Sequence, residues 1–181
     1  MKNTFKLALC GVVAALSVVL MLFEGLFSLA SVAIPAVAGC LLIPLVAEAG
    51  AGYALGAYGA TSLLCLLLAP DREAALIYLL FFGYYPVLFA VLSKIRPKAL
   101  RWAAKLAVFN AAAIADALLA VFILGVPVEE FTGLPLVGRW GPVVLLALAN
   151  VVFVLYDYTL AGLITQYFRR LHGRLARYFR H

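Results

Sequence analysis

Charge is what this sequence has least of. Of its 181 residues, 12% are charged and 67% hydrophobic, against roughly 25% and 45–50% in an ordinary soluble domain. So few charges cannot clothe a water-facing surface, which excludes a soluble globular domain and leaves an integral membrane protein. Histidine is nearly absent. His172 and His181 both fall in the C-terminal basic tail, so no His-based metal site is legible. The three cysteines, Cys10, Cys40 and Cys65, are odd in number and sit inside apolar runs. They read as small buried hydrophobes rather than a disulfide framework. No GxxxxGK[ST] phosphate loop, HExxH or CxxC spacing occurs, so the chain is not expected to hydrolyse ATP itself. With no paired acid–base or metal constellation either, an enzyme has little support.

What is present is apolar length. Six segments are long enough to be drawn as spans, at 6–23, 29–47, 50–69, 74–93, 101–124 and 142–166, for a need of roughly 17–25 residues each. The fold expected is all-α: a polytopic domain over 1–166 with six transmembrane helices, followed by a basic amphipathic tail over 167–181. Lys2 and Lys6 ahead of the run Leu7–Phe23 resemble the start of a signal peptide. That run exceeds the ~7–15 residues of a signal's apolar region, so a retained first helix is expected. Pro35 and Pro44 interrupt the second segment and predict a kinked, well-packed helix, because freed backbone groups must be re-satisfied by neighbours. Pro86, two-thirds through the fourth, predicts another kink.

An even number of spans puts both termini on one side. With them inside, only Arg72 and Arg139 of the 14 basic residues lie outside, which fits the positive-inside bias. The termini are therefore expected in the cytoplasm and the chain in the plasma membrane. Trp102 and Trp140 fall at opposite interfaces, as an aromatic belt requires. Pro70–Glu73 makes an outer hairpin whose Glu73 suits the start of a helix.

Polar groups inside the spans are few. Asp116 and Asn150 fall at similar depth, as do Asn110 and Asp157, so the fifth and sixth helices can form two rungs. Intramembrane carboxylates face a bundle interior or water, and interhelical hydrogen bonding and contact with a solute are both open. Glu24, at the outer end of the first helix, either meets solvent or overhangs an outward pocket. Small residues form stripes: Gly11 and Ala15; Gly52, Gly56 and Ala60; Ala103, Ala107, Ala111 and Ala115. Such stripes let helices approach closely, within the bundle or, on the first and third helices, against another membrane subunit. The outer segment 125–142, rich in Gly and Pro yet apolar, suits either a lid or an interface loop. In the tail, Phe168, Leu171, Leu175 and Tyr178 recur at helical spacing opposite arginines. This predicts a surface helix attracting anionic lipid and not nucleic acid.

Six spans, both termini inside, a first helix reading KLALCGVVAALSVVL and no ATPase together resemble the substrate-binding S components of energy-coupling factor vitamin transporters. The resemblance implies uptake of a vitamin or similar small molecule, energised by separate cytoplasmic ATPases through a transmembrane coupling subunit. It implies docking through Gly11 and Ala15, with Gly56 and Ala60 beside them. Gly11 departs from the alanine usual there. It also implies an outward pocket lined by Glu24, Tyr78, Asp116, Trp140 and Asn150. The stretch PDREAALIYLLFFGYYPVL is similar to uncharacterised small bacterial membrane proteins. The alternative is a non-transporting scaffold of the cell-envelope or rod-shape type, which needs packing faces and no pocket.

Overall fold

The computed structural model describes residues 3–24, 31–128 and 140–172. Within them the chain is helical without a strand: α1 (Asn3–Phe23), α2 (Ala33–Cys40), α3 (Ile43–Glu48), α4 (Ala51–Leu68), α5 (Arg72–Ile77), a π-turn (Tyr78–Phe82), α6 (Tyr85–Leu92), α7 (Lys98–Phe122) and α8 (Gly141–Tyr167), which runs on through a second π-turn (Phe168–His172). Taking α5 to α6 as one rod, five helices are long and apolar enough to cross a membrane. Their outward faces are also apolar, with Leu16, Leu63, Leu67, Phe122 and Leu155 exposed. A surface of that composition suits hydrocarbon rather than water.

The second apolar segment is two helices, not the single kinked one expected. Pro35 sits in the first turn of α2, where its missing N–H costs nothing. Pro44 removes the hydrogen bond that would have continued α2, and the backbone tightens at Leu41 and Leu42, with Leu42 N–H donating to Gly39 O at 3.0 Å. The pair covers Ala33–Glu48, which at ~1.5 Å per residue is about 24 Å, short of the ~30 Å hydrocarbon thickness. Gly50, at φ +98°, makes the tight turn from α3 into α4 that a side chain would strain.

The rod from Arg72 to Leu92 is the centre of the bundle, with half of its most apolar stretch buried against 17–28% for the other long helices. Asp71 starts it as an N-cap, its carboxylate accepting from Glu73 N–H at 2.9 Å and Ala74 N–H at 3.3 Å. This answers the charge cluster PDRE: one carboxylate satisfies the orphan donors and Glu73 faces the positive end of the dipole. The Pro86 kink is present and is prepared upstream. Gly83 N–H donates to Tyr78 O at 2.8 Å, a five-residue step, so one extra residue is absorbed before Gly83 and Tyr84 break the rod and Pro86 opens α6. Gly39 of α2 lies against the Phe82 backbone there, and a Cβ would come within 2.9 Å of the Phe82 carbonyl carbon.

Side-chain contacts sort the helix ends into two levels. Lys6 lies over the Tyr53 ring, and Tyr167 donates to Glu48 at 2.9 Å, so the start of α1, the α3–α4 turn and the end of α8 share one level. At the other, Glu24 feels the charge of Asp71 and Asp116 that of Glu73. Thus α1 and α4 run parallel, and α2–α3 carries the chain back between them. The Ala103, Ala107 and Ala111 stripe of α7 is exposed rather than packed. Residue 166, expected to end the apolar domain, lies inside the continuous helix α8. The segments 25–30, 129–139 and 173–181 lie outside the described residues, and with them most of the expected lid and the amphipathic tail.

Candidate binding site

The aromatic residues of the π-turn converge with α7 and α8. Phe109 and Phe153 stack at 4.5 Å between centroids. Phe81 meets them edge-on at 5.1 and 5.6 Å, and Phe82 meets Tyr156 at 4.8 Å. Above this group opens a cavity of about 210 Å³, lined by these rings, Val32, Ile77, Leu80, Ala112, Ala113, Ala149, Val152 and Asp116. Among the described residues of the lining Asp116 is the only charged one, and its Oδ1 is buried with no hydrogen-bond partner. Alanines leave the space and phenyl rings wall it.

The two polar rungs exist in a different register from the one expected. Asn110 and Asn150 exchange reciprocal amide hydrogen bonds of 3.0 and 2.9 Å, and each donates its other N–H to its own helix, to Leu106 O and Leu146 O at 2.8 Å. Both amide nitrogens are thereby saturated, and Asn150 is not in the cavity lining. Asp157 pairs with Lys105 and Tyr85, whose Nζ and hydroxyl each donate to Oδ1 at 2.6 Å. Depth alone, counted from span ends, misplaced the α7–α8 register by five to six residues, about 8–9 Å. Partner chemistry decides it instead: two amides satisfy each other fully, and a buried carboxylate takes the buried ammonium.

Lys105 is the residue that sequence reasoning missed. Placed only among the basic residues of the inner side, it is 5% exposed, with its ammonium 4.1 Å from the Phe89 ring centre and 5.3 Å from that of Trp102. Its position two turns into α7, opposite a helix carrying one deep Asp, was the available signal.

The other expected site residues are dispersed. Tyr78 is wholly buried in the central rod, its hydroxyl beside Ser17, Thr61 and Cys65 but unpartnered. Glu24 is 2% exposed, with both carboxylate oxygens unpartnered. Burial first, and then the charge of Asp71, push its carboxyl up to about 7. Neither residue lines the cavity. Trp140 is largely exposed at the start of α8. Of the five, only Asp116 reaches the void. Of the docking residues, Gly11, Gly56 and Ala60 line one groove between α1 and α4, with Leu7, Cys10 and Gly52. A Cβ at Gly11, Gly52 or Gly56 would meet nothing within 4 Å, so these glycines leave a surface open rather than closing a helix pair. Ala15 is exposed nearby but not in the groove.

The site therefore belongs to a helical protein of membrane-spanning character, with an aromatic cavity bearing one carboxylate. Searches against protein-family models, curated proteins and solved structures return no match.

Proposed function

We propose that this chain is a membrane-embedded binding protein that takes a small, flat molecule into the cavity at Asp116. It acts as the substrate-binding subunit of an energy-coupling factor type uptake system whose ATPases are separate chains. In this reading α2–α3 completes a sixth crossing, the level of Lys6, Glu48 and Tyr167 is cytoplasmic, and the cavity opens toward the outer side. The observation that carries it is the void itself. An unpartnered carboxylate oxygen beside empty space is retained in hydrocarbon at considerable cost and is the feature expected where a ligand completes the hydrogen bonding. The open glycine groove of α1 and α4 supports docking of a coupling subunit, because small residues admit close helix approach.

A scaffold is the second reading, and one observation favours it. The Asn110–Asn150 and Lys105–Asp157 rungs lock α7 to α8 without any ligand. Thermal unfolding of the purified protein with a panel of vitamins tests the two. A ligand shifts the midpoint in the binding reading, and Ala149→Phe, which fills the cavity, abolishes the shift without lowering the unliganded midpoint. A panel that moves nothing, together with co-purification of envelope-assembly proteins and no ATPase, refutes it.

A further inference from the structure

We infer that the cavity takes a monovalent organic cation, a protonated amine carried on one aromatic or flat apolar body. This rests on the binding reading above and names the substrate class for it. The first support is charge. Asp116 is the sole ionisable lining group with a buried, unpartnered oxygen, and Glu73 stands near enough to add negative potential. The one ion pair among the described residues, Lys105–Asp157, leaves its ammonium on Asp157 and the Phe89 and Trp102 rings. No described protein cation thus neutralises Asp116, and an anionic solute would meet its carboxylate in a low-dielectric setting.

The second support is the wall. Phe81, Phe82, Phe109, Phe153 and Tyr156 surround the carboxylate's space, and aromatic rings attract cations by their quadrupole as well as stacking on flat groups. The third is the loss of alternatives. Asn150 and Asn110 have spent both amide protons, so no side-chain amide donates to a carbonyl or carboxylate of a ligand. A donor or a positive charge is what complements the Asp116 carboxylate. Size agrees: an engineered apolar cavity of ~150 Å³ admits benzene, so about 210 Å³ holds one ring and a short arm.

Three probes of one shape decide the matter: 2-phenylethylammonium, neutral 2-phenylethanol and anionic phenylacetate, titrated against the purified chain at pH 7.5 with the unfolding midpoint as readout. Stabilisation by the ammonium alone is expected. Asp116→Asn should weaken it by roughly tenfold or more, the usual effect of losing a hydrogen bond to a charged group. Glu73→Gln, outside the cavity, should weaken it by a few-fold and serves if Asp116→Asn misfolds. Equal stabilisation by the alcohol or phenylacetate overturns the cation while leaving the binding reading standing. No shift with any of the three, in a chain that unfolds cooperatively, overturns both.

Discussion

The buried pair Lys105–Asp157 gives the sharpest energetic prediction. Lys105 Nζ and Tyr85 Oη both donate to one carboxylate oxygen at 2.6 Å, and the Lys and Asp side chains are each 6% exposed. Removing one member leaves an uncompensated charge about 10 Å inside a helix of 25 residues. Such a break costs about 3–5 kcal/mol, in line with the ~2.5–3.5 kcal/mol insertion cost of a single central charge. Lys105→Met should therefore lower stability by about 3–5 kcal/mol. Asp157→Leu should cost at least as much, since it also orphans the Tyr85 hydroxyl. Replacing all three, as Tyr85→Phe, Lys105→Met and Asp157→Leu, leaves an apolar seam of similar volume and should recover most of the loss. The assay is a denaturation series in mixed micelles, with exposed Lys98→Met as the control, expected within ±0.5 kcal/mol. Additivity of the two single changes to within ~0.5 kcal/mol would refute the pairing. So would Lys105→Met behaving like Lys98→Met.

Other consequences follow from particular contacts. Because the Glu24 carboxyl is raised to about 7 by burial and Asp71, its stabilising neutral form is fully present below the ordinary carboxylate value of ~4.3. That contribution declines as pH rises and levels off above about 7. Glu24→Gln should flatten the unfolding midpoint across this window and raise it at pH 8, and an unchanged slope contradicts the assignment. Asp71→Ala should cost about 1 kcal/mol as a lost N-cap. Asp71→Asn keeps the cap and should instead move the Glu24 transition to lower pH. Gly39→Ala drives a Cβ into the Phe82 backbone and should cost about 1–3 kcal/mol by overpacking, whereas Gly56→Ala meets open space and should be neutral or up to ~1 kcal/mol stabilising from helix propensity. A reversed order in calorimetry would refute the close approach of α2 to the π-turn.

Much of the architecture was legible because hydrocarbon imposes a simple rule: a spanning chain must satisfy its backbone internally, so long apolar runs become helices. The four runs without an internal proline became single helices at nearly the expected bounds, and the Asp71–Glu73 charges read correctly as a helix start. The Pro86 kink was legible as an outcome, whereas the break at Pro44 was visible as a position but not as a division into two helices. Whether a proline bends a helix or divides it depends on what receives the freed carbonyl. Here the backbone tightens at Leu41–Leu42 ahead of Pro44 and widens from Tyr78 to Gly83 ahead of Pro86. The site was legible in part. Asp116 stood out as a carboxylate at depth, yet Glu24, Tyr78, Asn150 and Trp140 were grouped with it from topology, which carries no rotational information. A helix face turns by about 100° per residue, so residues at one depth can face opposite ways.

The register of α7 on α8 explains why one end of this helix pair is closed and the other open. Lys105 with Asp157, and Asn110 with Asn150, are complementary partners that saturate each other. One turn and a half further along α7, Asp116 lines the cavity together with Ala112, Ala113 and Ala149, where its Oδ1 has no hydrogen-bond partner and small side chains leave a gap. A chain selected only for cohesion gains nothing from a carboxylate there. An Asp116→Leu chain should then be as stable as the parent or more so, since a half-buried acid with an unpartnered oxygen is exchanged for apolar contact. Equal or raised stability of that variant, joined to loss of ligand response, separates a residue kept for binding from one kept for packing. A fall of several kcal/mol would instead assign Asp116 to the fold and remove the basis for the cavity as a site.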